Sequence, residues 1–580
     1  MSNAKIAKIL RNVAAAYTIK KIGNIFQIRA YENAASTIEG LTAEIGDLWQ
    51  EGKLSEVPNI GAKLQEHLNE LLSTGKVKHF KSVQKGIPPV VFDLLDIPGV
   101  GPKTAQDIAR MGVTDLADLR KKIKTGELVS KGFSPKIAQK VMLGLQSLDQ
   151  QGHRMLLPYA AAQADKVLSY LKKSPDVIQA HPLGSLRRMA ATVGDLDFST
   201  STRKSKSVVE YFCQMPGVVR IVDKGENKAT VMLQNGVQAD ILAGEPESYG
   251  ALLQHFTGSK SHNIHLRIVA NEQGYSLSEY GVKKVRSEEL IKTETEEELY
   301  HMLGMQIPPP ELREDTGEIE AALKHQLPDL VNLRDIKGDI HLHSSYRIES
   351  PSHGPGVNPI EEIVKRAKEL GYEYVGVSDH PPGFTSTSKE YTINWTKERT
   401  KFIQQLESRT KGIRVLNGLE IDILGDGSLS VPDEALAMLD YCIAGIHSGH
   451  RGAKEEITKR LLKALESPYV DIISHPTNRL INERESSEAD WEKVFEVAAK
   501  NNKILEINAY PNRLDLRDDL VREALRFGVK FIINTDTHEV SQMSNMKFGV
   551  AVARRGWATK KDIVNTLDWT SFAKRFKIKE

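Results

Sequence analysis

GDIHLHS (338–344) places His341 and His343 two positions apart on a short apolar run. Side chains alternate along a strand, so both imidazoles leave one face. Six similar runs follow: YVGVSDH (374–380), RVLNGLEIDI (414–423), YCIAGIHS (441–448), VDIISHP (470–476), ILEINAY (504–510) and FIINTDTH (531–538). Helix-like segments such as IEEIVKRAKELG (360–371) and DWEKVFEVAAKNN (490–502) separate most of them. Strand alternating with helix predicts a parallel α/β barrel, which carries its chemistry at the C-terminal strand ends. The candidate ligands there are His341, His343, His380, Glu420, His447, His475, Asp536 and His538. One histidine alone is usually a hydrogen-bonded core residue, but this clustering predicts a metal centre. Mixed imidazole and carboxylate donors suit Mn²⁺, Zn²⁺ or Fe²⁺, ions that activate water against phosphorus.

The chain has 580 residues, too many for a single core. It has no apolar run near the roughly 18–20 residues that span a bilayer, and its start lacks a secretory h-region. Cys213 and Cys442 are the only cysteines. That excludes a disulfide framework and fits a reducing cytoplasm. The net charge of +2 conceals an asymmetry. Residues 1–240 hold 33 Lys and Arg against 23 Asp and Glu, while residues 241–335 hold 9 against 17. The basic front predicts a polyanionic partner.

EVPNIGAKLQEHLNELLSTG (56–75) and DIPGVGPKTAQDIARMGV (96–113) share one plan: Pro, a turn former, an aliphatic residue, Gly, then an amphipathic helix. Gly99 and Gly101 allow a tight turn and close backbone approach. Asn59, in place of the first Gly, tolerates the left-handed conformation. The helix N-terminus that follows suits a phosphate. KGFSPKIAQKVMLGL (131–145) is a degenerate third copy. These segments resemble helix-hairpin-helix motifs, which hold the DNA backbone without reading sequence. The candidate contacts are Gly61, Lys63, Gly99, Gly101 and Lys103.

HPLGSLRRMAATVGDLDFSTSTRKS (181–205) carries a second candidate centre. Asp195 and Asp197 share a strand face, and such neighbours repel unless a cation sits between them. VQADIL (237–242) supplies Asp240. Oxygen donors favour Mg²⁺ or Mn²⁺, and a two-ion clamp serves phosphoryl transfer. A DxD pair by itself can equally cap a loop. Gly184 and Ser185 open a turn into a helix, followed by Arg187 and Arg188, a set suited to a triphosphate. Ser185 and Arg188 are the candidate phosphate contacts.

This arrangement resembles the palm of the family X DNA polymerases, the DNA polymerase beta group, over residues 1 to 315. The resemblance implies that Asp195 and Asp197 bind both ions. It implies that Asp240 binds the catalytic ion near the primer 3′-OH. Within YGALLQHFTGSKSHNIHLR (249–267), His255, Phe256, Thr257 and Gly258 match the segment under the incoming sugar and base. His255 stands where an aromatic residue is usual. Asn263 and Arg267 match positions that touch the nucleotide and the template side. In RAYENAAS (29–36), Tyr31 matches the 5′-phosphate pocket, as does Lys63. His67 stands where some members carry a Schiff-base lysine, and an imidazole cannot form that imine.

The barrel motifs resemble the PHP (polymerase and histidinol phosphatase) family, a distorted seven-fold β/α barrel with a trinuclear site. The resemblance implies one ion on His341, His343, Glu420 and Asp536, a second on Glu420, His447 and His475, and a third on His380 and His538. Asp379 matches a family acid. Many members read S-D-G after the first HxH, where this chain reads SSYRIES. His353 and His450 match no family position and read as bland.

The expected architecture is a multidomain α/β chain. Residues 1–88 and 89–150 are helix-hairpin-helix DNA-binding domains, and 151–258 is a nucleotidyltransferase palm. Residues 259–315 contact nucleotide and template, 316–335 form a solvated linker, and 336–580 form the PHP barrel. The expected activity is gap-filling DNA synthesis in repair, with a Mn²⁺-dependent 3′-5′ exonuclease that cleans 3′ ends and cuts at abasic sites. The expected partners are gapped or primer-template DNA and dNTPs, with no membrane. The expected state is a cytoplasmic, nucleoid-associated monomer. Two alternatives are a PHP phosphomonoesterase with a vestigial front half and a non-catalytic DNA-end scaffold.

Overall fold

The computed structural model describes residues 1–580 apart from 2, 42–44, 58, 98–99, 136, 140, 143–144, 146–153, 349–352, 384–386 and 579–580. The chain forms two compact units. One comprises Met1–Pro182, Thr192–Gly244 and Leu480–Glu485, the other Leu183–Ala191, Glu245–Arg479 and Ser486–Glu580.

The first unit begins with helices Asn3–Lys20, Ile25–Gly40 and Ala62–Thr74, which bury Ile6, Leu10, Ile38, Leu64, Leu68 and Leu71 in one core. Spacings of three, four and seven along each segment make one apolar helix face. Asn59, in the turn before the third of these helices, has φ 60°, the left-handed conformation its residue type tolerates. A second core of Ile97, Ala105, Ile108 and Leu119 surrounds helix Pro102–Arg110. Gly99 and positions 136, 140 and 143–144 of the third hairpin copy lie outside the described residues.

The same unit contains the first seven strands: β1 (Met155–Leu156), β2 (Gln179–Pro182), β3 (Thr192–Val193), β4 (Leu196–Ser201), β5 (Val218–Lys224), β6 (Lys228–Leu233) and β7 (Gln238–Gly244). Five form a sheet in the order β2-β4-β7-β6-β5. Strands β4 and β7 are parallel, and their register sets Asp197 opposite Asp240.

The second unit opens with the short helix Gly184–Arg187, where Gly184 takes φ 54°. Helices Tyr249–Thr257 and Lys260–Glu272 follow. A three-stranded sheet of β8 (Tyr275–Ser278), β9 (Gly281–Lys284) and β10 (Leu290–Ile291) comes next, and then helix Glu296–Met302. Buried ion pairs tie this region together. Arg187 forks onto Glu296, with its nitrogens 3.0 and 2.6 Å from the two carboxylate oxygens, and Arg313 reaches the same carboxylate at 2.5 Å. Burial pushes the Glu296 carboxyl up, but the two guanidinium charges outweigh it and hold it down to about 2.

The expected solvated linker, 316–335, is only partly exposed: Ile319, Ala322, Leu330 and Val331 are buried, as is the carboxylate of Glu318. Just before it, Leu312 and Arg313 are buried too. Glu318 lies 2.6 Å from His262 Nδ1 and accepts the backbone N–H groups of Asp315 and Thr316. The acid is buried because its partner stands 56 positions earlier. Glu296→Gln leaves Arg313 buried with half its partner lost, and is expected to destabilise the protein by about 3–5 kcal/mol in denaturant unfolding. A depressed carboxyl stabilises fully above its unfolded value. The Glu296 contribution should therefore hold above pH 4.5 and fade as pH falls towards 2.

The remaining strands are β11 (Gly338–Asp339), β12 (Tyr374–Val377), β13 (Arg414–Asp422), β14 (Tyr441–Gly445), β15 (Ile472–Ile473), β16 (Ile504–Asn508) and β17 (Lys530–Asn534). All seven pair in parallel, in chain order. A parallel bridge between Leu342 and Thr537, just past β11 and β17, nearly closes the barrel. Helices Ile360–Glu369, Lys389–Arg409, Lys454–Glu466, Trp491–Lys500, Asp518–Leu525 and Met546–Arg555 occur among these strands. Strands covered on both faces read as continuous apolar runs, which is how the sequence shows them.

Candidate functional site

In the first unit Asp195 directly precedes β4, Asp197 lies on it, and Asp240 lies on parallel β7. The Asp197 carboxyl is pushed up to about 6, first by burial and then by the charges of Asp240 and Asp195. Asp195 is raised by burial and Asp240, with Arg154 opposing. Asp240 accepts Thr230 Oγ1–H, and Gln238 Nε2 at 2.9 Å. Asp240 thus raises both neighbouring carboxyls, and such crowding fits a divalent cation, whose charge would relieve the repulsion.

The described hairpin contacts stand at the starts of two helices. Gly61 precedes helix Ala62–Thr74, Gly101 precedes Pro102–Arg110, and Lys63 and Lys103 are exposed. Tyr31 is buried, its hydroxyl 3.0 Å from His67 Nδ1. His67 stacks on His79 with ring centres 4.9 Å apart, and Tyr17 Oη lies 2.7 Å from His79 Nε2. Burial, with the neighbouring His79 and Lys63 charges, lowers the His67 pKa. No amine stands at this position, so borohydride reduction in the presence of a 5′-deoxyribose phosphate end should trap no adduct through residue 67. A peptide map carrying the adduct there overturns this.

In the second unit Arg188 donates from Nε to Glu314 at 3.0 Å and from Nη1 to the Thr257 carbonyl at 2.6 Å. Gly258 sits beside it with φ 69°, and a Cβ there would lie 3.1 Å from Arg188 Nη1. His255 packs on Phe256 with ring centres 4.8 Å apart, and its Nδ1 lies 3.4 Å from Arg267 Nη2. Asn263 Nδ2 donates to the His255 carbonyl at 2.7 Å. Arg188, His255, Phe256, Gly258, Asn263 and Arg267 thus form one connected group.

At the barrel mouth, donor atoms within 4.8 Å of one another form the groups His341–His343–Glu420–Asp536, Glu420–His447–His475 and His343–His380–His538. Glu420, near the C-terminal end of β13, is shared. Its oxygens lie 3.1 Å from His341 Nε2, 3.1 Å from His447 Nε2 and 2.9 Å from His475 Nε2. His341 Nε2, both ring nitrogens of His343 and Nδ1 of His380 are buried and make no hydrogen bond. Core histidines satisfy such atoms, so buried bare nitrogens facing carboxylates fit ligands arranged around cations.

The chain matches a helix-hairpin-helix domain over residues 1–77, a SAM-like helix-hairpin-helix tandem over 91–147, the DNA polymerase beta thumb over 252–314 and the PHP domain over 339–510. It is 33% identical over 582 aligned residues to DNA polymerase/3′-5′ exonuclease PolX of Bacillus subtilis (strain 168), covering 99% of this chain and 100% of that protein. The chain belongs to the family X DNA polymerases that carry a PHP domain. The barrel alone is similar to probable phosphatases. One from Thermoanaerobacter sp. (strain X514) is 26% identical over 39% of this chain and 89% of its own length. One from Clostridium acetobutylicum is 28% identical over 34% and 78%.

Around this polymerase's barrel site stand residues that the sequence did not single out. Glu506, fully buried on β16, lies 2.6 Å from His341 Nδ1 and accepts the His475 backbone N–H at 2.8 Å. Asp422, two positions after Glu420 on β13, lies 2.6 Å from His447 Nδ1 and 3.0 Å from His353 Nε2. Burial pushes the Asp422 carboxyl up, but its bonds to His353 and His447 outweigh this and hold it well below the usual range. Such carboxylates fix the tautomer and aim of a ligating ring. The strand period of two pointed to Asp422, and Glu506 lay in the one run without a chosen ligand. His353 is not bland: its ring centre is 4.6 Å from His380 and 4.5 Å from His447.

Asp379 accepts the Nε and Nη2 of Arg399 at 2.9 and 2.8 Å, and Ser344 Oγ at 2.9 Å. That pins the segment after the HxH pair. Tyr346 packs on Trp395 and Phe402, and Trp395 Nε1 donates to the Arg347 carbonyl at 2.9 Å. The SYR departure is thus an anchor onto helix Lys389–Arg409. Arg513 Nε lies 3.5 Å from Asp536 Oδ2, and its buried Nη1 makes no hydrogen bond.

Among the described residues no helix is long and apolar enough to cross a membrane.

Proposed function

We propose that this family X polymerase adds deoxynucleotides to 3′ ends in short gaps during base excision repair and end processing. On the same reading its PHP barrel removes nucleotides in the 3′-to-5′ direction, cleans blocked 3′ ends and cuts at abasic sites. The observation that supports this most is the pair of donor sets in one chain: carboxylates alone at Asp195, Asp197 and Asp240, and imidazoles with carboxylates around Glu420. The full-length relative bears a name that joins both activities. The substrates are gapped or primer-template DNA and dNTPs, and the protein works as a monomer at the nucleoid.

Asp195 and Asp197 would hold both Mg²⁺ or Mn²⁺ ions, and Asp240 would hold the catalytic one. The barrel groups would hold Mn²⁺ or Zn²⁺. Bound divalent ions lower the pKa of an attacking oxygen and offset the charge that develops on phosphorus. Asp240, restrained by Thr230 and Gln238, stands ready to take the 3′-OH proton. Ser185 and Arg188 hold the triphosphate through a hydroxyl and a guanidinium. Phe256 and Gly258 lie under the sugar, with His255, Asn263 and Arg267 fixing that surface. Glu506 and Asp422 hold the Nδ1 sides of His341 and His447, which presents each Nε2 to the centre. Arg513 offers its unbonded Nη1 to an oxygen of the scissile phosphate.

The test is a primer on a one-nucleotide gap, with and without dNTPs and Mn²⁺. Extension with dNTPs and shortening without them support the reading. Release of phosphate from a small monoester with neither DNA activity sinks it.

A further inference from the structure

Helix Met546–Arg555 belongs to the barrel, yet its last residue reaches the arginine assigned to the triphosphate. Arg555 Nη1 donates to the Arg188 carbonyl and to Glu314 Oε1, each at 2.9 Å. Its Nε donates to Asp518 Oδ2 at 2.7 Å, at the start of helix Asp518–Leu525. Glu314 Oε1 also receives Arg188 Nε at 3.0 Å, and Arg188 Nη1 donates to the Thr257 carbonyl at 2.6 Å. One carboxylate oxygen is thus shared by two guanidinium groups, one from the barrel and one from the turn after Ser185.

A guanidinium is planar, with five N–H donors in a fixed fork. For Arg188, the Nε donor and one Nη1 donor fix that plane, and Nη2 meets no acceptor among the described residues. The Arg188 side chain is 14% exposed, so the plane has little room to swing. Glu314 can hold Arg188 only if Glu314 is itself held. Arg555 does this, and grips the Arg188 backbone with the same nitrogen. The charges of Asp518, Arg555, Glu314 and Arg188 balance.

We propose that Arg555, a residue of the nuclease barrel, is a positioning residue for nucleotide binding by the polymerase half. Acting through Glu314 and the Arg188 carbonyl, it fixes the Arg188 plane so that Nη2 faces a phosphate of the incoming dNTP. The inference rests on the reading of Arg188 as a triphosphate contact. It makes the barrel part of the polymerase's substrate-binding structure and not only a tethered nuclease.

The experiment uses the full chain as wild type, Arg555→Ala, Arg555→Lys, Arg188→Ala and the double alanine variant. Single-nucleotide incorporation on gapped DNA gives kcat and the dNTP KM. Exonuclease rate and melting temperature on the same preparations report the fold. Arg555→Ala should raise the dNTP KM about tenfold with kcat within about twofold, the pattern of lost uniform binding. Exonuclease rate should be unchanged. Arg555→Lys should fall between, because one ammonium cannot reach Asp518 and the Glu314–Arg188 carbonyl pair at once as Nε and Nη1 of the fork do. In the Arg188→Ala background, Arg555→Ala should add nothing.

If Arg188→Ala raises KM and Arg555→Ala does not, the relay is wrong. If Arg188→Ala itself leaves KM unchanged, the triphosphate reading is what fails. If Arg555→Ala lowers exonuclease and polymerase together, Arg555 merely holds the fold and the proposal falls. Glu314→Ala cuts the relay from the other side and should give the same KM rise. An unchanged KM there also overturns the proposal.

Discussion

Asp197→Asn should lower single-nucleotide incorporation by at least about a thousandfold, the scale of losing one preorganised charged group where transition-state charge develops. The 3′-5′ exonuclease should persist. The size of the loss follows from how the residue is placed. Asp197 lies in register with Asp240 on a parallel neighbour, so one backbone ladder fixes the two carboxylates together. No flexible loop can bring in a substitute. Asn keeps the shape and removes only the charge. Asp197→Glu keeps the charge and displaces it, and a misplacement of about 1 Å at a reacting centre costs about a hundredfold. The glutamate variant should therefore retain more activity than the amide. Stability should move the other way. The Asp197 carboxyl is pushed up to about 6 by burial, Asp240 and Asp195, so its ionisation opposes folding as pH rises from the usual value of 3.8 through about 6. At pH 8 without divalent ions, the Asn variant should melt above wild type. Added Mg²⁺ should raise the wild-type midpoint more than that of the variant. A variant that melts lower and polymerises normally would remove Asp197 from the site.

What the sequence made legible was local. Asp195 with Asp197, His341 with His343 and Asp536 with His538 are each two apart, a spacing that the strand period turns to one face, although the four barrel residues lie just past β11 and β17 and Asp536 takes φ 52°. The seven parallel strands were legible because each is a short apolar run between turn signals. The left-handed turn at Asn59 was legible because few residue types tolerate it. What stayed hidden is the choice of partners across the fold. Glu506 meets His341 from 165 positions away, Arg187 meets Glu296 across 109, and Arg555 meets Glu314 across 241. No local period carries such pairings, because they depend on which elements pack side by side. The stretch 316–335 shows the cost of reading charge locally. Glu318 looks solvated until His262 is brought against it. His353 was misread for the same reason, since Asp422, the group that holds it, is 69 positions away.

Glu420→Ala should abolish the exonuclease, by about a thousandfold or more, while extension of a clean 3′-OH at a gap continues. Glu420 is chosen over any single histidine because it belongs to two donor groups, His341–His343–Glu420–Asp536 and Glu420–His447–His475. Its two oxygens face different rings: Oε1 is 2.9 Å from His475 and 3.1 Å from His447, while Oε2 is 3.1 Å from His341 and 3.4 Å from His380. Removing it withdraws one donor from each group and leaves several buried rings without the charge they face. Metal analysis of the purified variant should therefore show a lower manganese or zinc content than wild type. His475→Ala touches only one of those groups and should lower it less. The paired effect also tests why the two activities share a chain. A primer ending in 3′-phosphoglycolate offers no hydroxyl to the polymerase, so extension there needs prior cleaning. Tethering the nuclease to the polymerase raises its effective concentration at that end. Wild type should extend the blocked primer in Mn²⁺ with dNTPs, and Glu420→Ala should not, although both extend the unblocked one. Equal extension of the blocked primer by both proteins would sever the two activities. The barrel would then be a nuclease whose substrate lies elsewhere than at the polymerase's own 3′ end.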